Sequence, residues 1–385
     1  MAKSKETLGI LNGSYKQVKK NARILSILML AFVMRMAYLE RPFLGTDEGH
    51  TTYVLAQSWS GLIENVYYEY SPPLYYMLAK TVLLLSQDLF FVRLISVISG
   101  VLLVLFSYLL FRRIANENTG LICALLVAAN PLLIAYSQHM RNYMLLLFLF
   151  IASLYFLRCY LEEEKNKYLF ACTFMNVLLV FTHYHALIML FSVTLLLLIY
   201  RFWLKKALVL KKALAVVAVP LVLFLVNVPM LISSMQRAAT DSWLNSTGII
   251  DAGYLFYKYF VGANIHLLSG NNLLLFAVFP LSIALFAFGA WKLWNEKKIL
   301  AIFLALFPAI FCFGGAQLFP FFFHYRYLVY TLPVMLGIMA FGINQIKNTY
   351  LKAVAITLLL AMWIWITFIY YGVTGLPNWG TLFGL

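Results

Sequence analysis

Long apolar stretches, separated by short polar segments, follow one another along almost the whole sequence. A helix needs roughly 20 apolar residues to cross the hydrocarbon core of a bilayer, so this pattern predicts about eleven membrane-spanning helices. The chain is therefore expected to fold as an all-α polytopic membrane protein. The predicted spans are 23–40, 90–111, 119–137, 142–161, 168–183, 185–203, 213–233, 271–291, 299–318, 326–345 and 350–371.

The apolar run at 74–86 is too short to be a further span. As a helix it would reach about 20 Å, whereas the hydrocarbon core is about 30 Å thick. It is predicted to lie at the membrane interface, within a first outer loop that covers 41–89. In a second large outer loop, 234–270, the aromatic residues around Lys258 predict another interfacial helix.

The composition agrees with a membrane protein, because 63% of the residues are hydrophobic and only 11% are charged. The net charge of +15 is spread over short loops without a basic domain, so no nucleic-acid partner is expected. With 74–86 outside, most basic residues fall on the N-terminal side, which the positive-inside rule assigns to the cytoplasm. Residues 1–371 are then one membrane domain, and 372–385 form a short extracytoplasmic tail. The four cysteines lack C-x-x-C spacing and are expected to be small core residues.

Two adjacent carboxylates, Asp47 and Glu48, follow the first predicted span in a sequence with few acidic residues. The predicted topology places them at the outer face together with all 6 histidines. Neighbouring side chains cannot point the same way, so one can face a substrate while the other is held by the scaffold. Such a carboxylate can act as a general base towards a hydroxyl or an amine. The alternative is a pair of interfacial carboxylates that only face water.

Two arginines at the same predicted face are candidates for binding a phosphate. Arg141 lies where the third span turns into the fourth, and its guanidinium offers a planar fork to a lipid-linked phosphate. The alternative for Arg141 is generic contact with lipid headgroups. Arg326, at the start of the tenth span, is a second phosphate candidate.

His183 and His185 occupy the turn between the fifth and sixth spans. They could ligate a metal with Asp47 or Glu69, although residues two apart do not share a helix face. The other interpretations are a hydrogen bond to a donor phosphate and simple packing at the interface. Arg35 lies within the first span, where a charge is costly unless it is paired or near water, and its role in structure or function stays open.

The order of these features resembles the polyprenyl- and dolichyl-phosphate-sugar glycosyltransferases of the GT-C superfamily, family 39. These include the protein O-mannosyltransferases and the aminoarabinose transferase of lipid A. Many bacterial members carry Asp-Glu after the first span, then Asp-x-His-Pro-Pro-Leu-Tyr-Tyr, Tyr-Ser-x-x-x-Arg-x-Tyr, Thr-His-Tyr and an Arg-Tyr near a proline. The corresponding segments here are Asp47-Glu48, Glu69 to Tyr76, Tyr136 to Tyr143, Thr182-His183-Tyr184, and Arg326-Tyr327 with Pro333. Ser71 stands where a histidine is usual, and Glu69 where an aspartate is usual.

The resemblance implies a GT-C fold and the transfer of a sugar from a polyprenyl-phosphate donor to an acceptor protein, lipid or glycan. The reaction would take place among the lipids of the cell membrane, at its extracytoplasmic face and with inversion. Asp47 would take the proton of the acceptor, with Glu48 completing the catalytic pair. The residues expected to bind the donor phosphate or the substrates are Arg141, Tyr143, Glu69, Tyr75, His183 and Arg326. Because the leaving group is already a phosphate, no cofactor and no obligatory metal is expected, with a divalent metal as the less favoured alternative.

Other functions are compatible with parts of the pattern. A glycan polymerase or ligase of related shape would use a lipid-pyrophosphate donor. A transporter or lipid flippase would need ionisable residues at the bilayer midplane and repeat symmetry, whereas the charges here cluster at one face. A non-catalytic membrane scaffold would not need the two carboxylates and Arg141 on the same side.

Overall fold

The computed structural model is built from helices joined by short connections. It describes residues 21–40, 46–67, 69, 71–204, 212–238, 249–262, 273–296, 298, 300–317, 324 and 326–370. The first helix, α1, covers 21–36. The helices that follow are α2 (Thr46–Ala56), α3 (Trp59–Val66), α4 (Leu74–Leu85), α5 (Leu89–Ile114), α6 (Glu117–Ala129), α7 (Pro131–Ser137), α8 (Tyr143–Glu163), α9 (Asn166–Val180), α10 (Ala186–Leu204), α11 (Ala215–Phe224), α12 (Val228–Ala238), α13 (Ile249–Val261), α14 (Leu273–Asn295), α15 (Leu300–Ala316), α16 (Leu332–Gln345) and α17 (Thr349–Tyr370). Short 3₁₀ turns at Leu225–Asn227 and Val329–Thr331 lead into α12 and α16.

Several of these helices are long and apolar enough to cross a membrane. Among the described residues there are 4 such segments, namely α5, α8, the stretch from α11 to α12, and α17. The pair α6 and α7 would form a fifth, but it is bent by 62°. Other predicted spans coincide with shorter apolar helices, including α9, α10 and α15. The prediction of a helical, multi-pass membrane protein is confirmed, whereas the total number of spans stays a prediction.

The bend between α6 and α7 has a cause in the sequence. Pro131, at the start of α7, has no N–H to donate to the Val127 carbonyl, so the hydrogen-bond ladder of α6 ends there. Asn130 then begins a new helix, because its side-chain oxygen accepts from the backbone N–H of Leu133 at 3.1 Å. The short α7 leads into the turn at 138–142, which carries one of the predicted phosphate-binding arginines.

Arg35, the charged residue inside α1, stabilises this break. Its guanidinium donates to the carbonyls of Val127 at 3.1 Å and Ala128 at 3.0 Å, and the last carbonyls of a helix have no partner within the helix. It also donates to the Ser137 hydroxyl at 3.0 Å. Gly100 leaves room for this arrangement, since a Cβ there would lie 2.7 Å from Arg35 Nε. These contacts give Arg35 a role in the fold, which the sequence had left open.

The core of the bundle is formed by α5 with α6 and α8, and by α8 with α9. On another side, α14 and α16 cross closely at two glycines. A Cβ on Gly289 would lie 2.1 Å from the Ile338 carbonyl oxygen, and one on Gly342 would lie 2.7 Å from the Leu285 carbonyl oxygen. Small residues at such crossings let membrane helices approach each other. The four cysteines are buried and free, which confirms their prediction as core residues.

The helices of the first outer loop pack against the bundle. The run predicted at 74–86 to be helical forms α4, which contacts α2 and α5. An apolar cluster that includes Val54, Leu62 and Tyr75 fills the space between these helices. The loop is therefore a packed layer over one end of the bundle, and this fixes the position of the residues at the start of α2.

The helix predicted around Lys258 is present as α13. The carbonyl of Tyr259 accepts from Asn130 Nδ2 at 3.0 Å, so α13 is tied to the break between α6 and α7. The indole of Trp363 in α17 donates to the backbone of α13 at 2.7 Å. The predicted tail, 372–385, lies outside the described residues.

Candidate active site

Polar side chains from distant parts of the chain meet at one end of the bundle. They come from the start of α2, the segment before α4, and the turns before α8 and α16. We define the carboxylate–arginine cluster as Asp47, Glu48, Glu69, Arg141 and Arg326. All of its members are residues that the sequence predicted as site residues.

Asp47 and Arg326 form an ion pair at the centre of the cluster. Arg326 Nη1 lies 2.8 Å from Asp47 Oδ2, although the two residues are 279 positions apart. Their side chains are 28% and 19% exposed, so neither is sealed inside the protein. The carboxylate is therefore held in place by a cation and is still accessible to a substrate.

Glu48 is buried and points away from Asp47, into the scaffold. Its carboxylate accepts from Arg93 through Nε at 3.3 Å and Nη2 at 3.2 Å. It also accepts from the backbone N–H of Met140 at 2.9 Å. The third guanidinium nitrogen of Arg93, Nη1, donates to the Leu39 carbonyl at 2.9 Å. Glu48 thus links α2 to α5 and to the turn before α8, which is the anchoring role expected for one of the two carboxylates.

Arg141 reaches across the cluster from the turn before α8. Its Nη1 lies 3.4 Å from the Asp47 carbonyl oxygen, 3.2 Å from the Thr51 hydroxyl and 3.3 Å from the Tyr76 hydroxyl. The same nitrogen is 3.9 Å from Glu69 Oε2. Its Nε is buried and has no hydrogen-bond partner among the residues that the structure describes. These long, shared contacts orient the guanidinium but leave part of its donor capacity unused.

Glu69 is, like Glu48, a buried carboxylate of the cluster. It accepts from the Tyr76 hydroxyl at 2.9 Å and lies 3.0 Å from His50 Nε2. Its backbone carbonyl accepts from the Ser234 hydroxyl at 2.7 Å, which connects the segment to α12. The sequence predicted Tyr75 as a site residue, but the hydroxyl that touches Arg141 and Glu69 is that of Tyr76. Both tyrosine rings belong to the apolar cluster beneath the loop.

His183 lies next to the cluster, in the turn before α10. Its ring centre is 6.1 Å from that of Tyr143 and 5.3 Å from that of Tyr327. Burial, His185 and the positive charge of Arg141 hold the pKa of His183 well below its ordinary value, so the ring is neutral at neutral pH. Its Nδ1 accepts from the backbone N–H of His185 at 3.1 Å, which assigns the ring proton to Nε2. His183 is thus a neutral hydrogen-bond donor and not an additional cation.

Lys258 is a site residue that sequence reasoning did not select, although the aromatic pattern around it was noted. Its side chain is 2% exposed, and its Nζ lies 5.5 Å from the centre of the Tyr254 ring. Burial and the nearby positive charge of Arg326 lower the pKa of Lys258 to about 7. His324 is also affected, since burial, Arg326 and Lys258 lower its pKa to about 3. This side of the site is therefore rich in basic groups that burial keeps partly or wholly uncharged.

The arrangement combines an accessible carboxylate with two guanidinium groups, Arg141 and Arg326. The carboxylate can accept a proton, and the guanidinium groups can bind an oxyanion. Among the residues that the structure describes, no three histidine, cysteine, aspartate or glutamate side chains gather in a group able to hold a metal. The metal set considered for His183 with Asp47 or Glu69 is thus not assembled within that part of the chain.

Comparisons with known proteins identify the type of fold. Residues 70–231 match the family model described as dolichyl-phosphate-mannose-protein mannosyltransferase. No curated protein matches the chain in sequence. Among solved structures, the apo ArnT of Cupriavidus metallidurans matches with a TM-score of 0.60 and 15% identity, over 93% of this chain and 66% of that one. The chain has the GT-C fold.

A second GT-C structure matches over the same extent. The Archaeoglobus fulgidus oligosaccharyltransferase, in complex with zinc and sulfate, gives a TM-score of 0.59 at 18% identity. The match covers 91% of this chain but only 54% of the oligosaccharyltransferase. ArnT bound to undecaprenyl phosphate also matches, with a TM-score of 0.58, 15% identity, and 93% and 65% coverage. The GT-C similarity therefore extends through nearly the whole chain, well beyond the segment matched by the family model.

Proposed function

We propose that this GT-C chain is an integral membrane glycosyltransferase that transfers a sugar from a polyprenyl-phosphate donor to an acceptor protein, lipid or glycan. The observation that carries the proposal is the carboxylate–arginine cluster, in which Asp47 is flanked by Arg326 and Arg141. Such a cluster suits a reaction that needs a proton acceptor beside an anionic leaving group.

In the proposed reaction, a hydroxyl or amine of the acceptor attacks the anomeric carbon of the sugar. The bond from that carbon to the phosphate oxygen breaks, and the lipid phosphate leaves with the electron pair. Asp47 takes the proton of the attacking group. Because attack occurs opposite the leaving group, the configuration at the anomeric carbon inverts.

The arginines would neutralise the phosphate before and after the bond breaks. Within the described part of the chain Arg141 has a buried Nε without a hydrogen-bond partner, and phosphate offers oxygens that match a guanidinium fork. Arg326 can exchange the Asp47 carboxylate for a phosphate oxygen, and that exchange would release Asp47 for proton transfer. His183, neutral and protonated on Nε2, can add an uncharged hydrogen bond to the same oxygens.

The comparisons support the class of donor. ArnT of Cupriavidus metallidurans has been solved with undecaprenyl phosphate, and the Archaeoglobus fulgidus oligosaccharyltransferase AglB with an inhibitory peptide and dolichol phosphate. The family model that matches residues 70–231 is named for a dolichyl-phosphate-mannose-dependent enzyme. A lipid phosphate is the feature common to these proteins, and the present site has the charges to bind one.

The test is a transfer assay with donor binding measured separately on the same purified protein in nanodiscs. Asp47→Asn should bind donor normally but lose about 10²–10⁴-fold in turnover, the usual contribution of general-base catalysis. Glu64→Gln, which changes an exposed carboxylate on neighbouring α3, is the matched control and should behave as wild type.

Two further arms of this experiment separate the alternatives. In the first, a polyprenyl-pyrophosphate glycan should be a poor donor compared with the monophosphate sugar. In the second, EDTA should leave transfer intact, because the leaving group needs no activation by a metal. Near-normal turnover of Asp47→Asn would exclude Asp47 as the base. Transfer only from the pyrophosphate donor would identify the chain as a polymerase or ligase instead.

A further inference from the structure

His50 and Glu69 form a second pair of titratable side chains beside Asp47. His50 Nε2 lies 3.0 Å from Glu69 Oε1. The imidazole is 58% exposed, whereas the carboxylate is only 4% exposed. His50 follows Asp47 by three residues on α2, so the two side chains are neighbours on one helix face.

Glu69 is held firmly enough to orient the imidazole. The Tyr76 hydroxyl donates to its Oε2 at 2.9 Å, and Arg141 approaches the same oxygen at 3.9 Å. The Glu69 backbone N–H also donates to the Val66 carbonyl at 3.0 Å. With its Nε2–H directed at Glu69, the neutral imidazole presents Nδ1 as the atom that can accept a proton.

The proposed sugar transfer creates a need for such a group. Asp47 gains a proton in every turnover and must lose it before the next one. Its ion-pair partner, Arg326, is always protonated and cannot take it. Imidazole is the side chain suited to take up and release protons near neutral pH, and His50 is the member of this group that reaches solvent.

We propose that His50, oriented by Glu69, relays the catalytic proton from Asp47 to solvent. This relay rests on the glycosyl transfer proposed above. The proton of the acceptor hydroxyl passes to the Asp47 carboxylate, and then, directly or through water, to Nδ1 of His50. The imidazolium keeps its Nε2–H on Glu69 and releases the other proton to water, which returns both residues to their starting forms.

Other side chains surround the His50–Glu69 pair. On α2, the Tyr53 ring centre lies 6.5 Å from that of His50. Across from it, beyond Glu69, Arg141 Nη1 lies 3.9 Å from Glu69 Oε2. Tyr76 donates its hydroxyl hydrogen to Glu69 and does not compete for the His50 proton.

The test uses the purified full-length protein with saturating donor and acceptor in dilute, non-nucleophilic buffer. His50→Ala should lower kcat by about 10²-fold while donor binding and KM stay unchanged. Added imidazole should restore much of kcat, because it can occupy the vacated space and carry the proton. Tyr53→Ala, which removes an equally exposed neighbour on the same helix, is the control. It should keep the kcat of the wild type, and added imidazole should not change that value.

His50→Gln separates a relay from a structural role. Its amide can still donate to Glu69 but cannot carry a proton, so it should be as slow as His50→Ala with donor binding intact. Normal kcat in His50→Gln, or no response of His50→Ala to imidazole, would overturn the relay while leaving glycosyl transfer in place. A wild-type protein that binds no lipid-phosphate sugar and transfers none contradicts the proposed function, and the relay with it.

Discussion

Arg141 is held by several oxygens but saturated by none of them. Its Nη1 is shared among acceptors at 3.2–3.4 Å, which are long distances for hydrogen bonds to a charged donor. No described residue supplies a hydrogen-bond partner for its buried Nε. A buried guanidinium with unused donors is stabilised when an oxyanion binds to it. Arg141 is therefore the residue expected to contribute most to the proposed binding of the donor phosphate.

We therefore expect Arg141→Ala to weaken binding of polyprenyl-phosphate sugar. A hydrogen bond to a charged group contributes about 1.5–3 kcal/mol, so Kd should rise by about 10–150-fold. Arg141→Lys should recover only part of the affinity, since an ammonium lacks the planar fork. Binding of labelled donor to nanodiscs is the measurement, with Arg158→Ala, near the opposite end of α8, as the control arginine. Unchanged affinity in Arg141→Ala would assign Arg141 to general headgroup contact.

Lys258 gives a prediction about pH and stability. Its pKa falls to about 7 in the folded protein, through burial and the charge of Arg326, whereas a free lysine titrates near 10.4. Between these values the unfolded chain binds more protons than the folded one, so stability should rise with pH from about 7 to about 10. In the wild type this rise in the free energy of unfolding should amount to a few kcal/mol across the interval, and Lys258→Met should remove it. Thermal unfolding in detergent at a series of pH values tests it, and an identical pH profile in Lys258→Met would contradict it.

The sequence predicted which residue types meet at the site better than it predicted their partners. Asp47, Arg141 and Arg326 are visible as isolated charges beside apolar runs. Their contacts are not visible, because Asp47 and Arg326 are far apart in sequence and only the fold brings them together. Tyr75 and Tyr76 are adjacent at the start of α4, and the sequence alone does not show which hydroxyl reaches the site. In the folded chain it is the Tyr76 hydroxyl that donates to Glu69.

At the scale of elements, the broken pair α6 and α7 depends on Arg35. Replacing Arg35 by methionine would leave the carbonyls of Val127 and Ala128 without their donors, at a cost of about 1–3 kcal/mol for each buried group. Gly100→Ala should act in the same direction, because its Cβ would lie 2.4 Å from the Ser137 hydroxyl oxygen.

The measurement is the midpoint of thermal unfolding for each purified variant. The matched control is Gly253→Ala, since a Cβ at Gly253 meets nothing within 4 Å. Arg35→Met and Gly100→Ala should both unfold at lower temperature than the wild type, and Gly253→Ala should not. If Arg35→Met unfolds like the wild type, the bend is maintained by Pro131 and Asn130 without the arginine.

Hydropathy predicted the helices but not their interruptions. The run at 119–137 was predicted as one span, whereas the chain breaks at Asn130 and Pro131. The run at 326–345 was predicted to begin at Arg326, but the α-helix starts at Leu332 after a 3₁₀ turn. An average over apolar residues cannot detect such breaks. In the second case the irregular start is what allows Arg326 to reach Asp47.

At the scale of the whole molecule, the orientation in the membrane is predicted from the distribution of basic residues between the two sides. Basic residues near 115 and 165 predict a cytoplasmic location for those connections. The segments near 60 and 250 should face the other side. Single cysteines at these four positions, in a chain without its native cysteines, should react with an impermeant reagent from outside only at 60 and 250. Labelling at 165 in intact cells would reverse the orientation and with it the side on which the reaction is proposed.

The ion pair between Asp47 and Arg326 also has a consequence for biogenesis. Its partners are separated by 279 residues, and ribosomes add about 5–20 residues per second, so Arg326 is synthesised roughly 15–55 seconds after Asp47. During that interval the nascent protein carries the Asp47 carboxylate without its ion-pair partner. The proposed donor site thus has only Arg141 of its two arginines until residue 326 has been synthesised, so shorter nascent chains should bind the lipid-linked sugar less tightly.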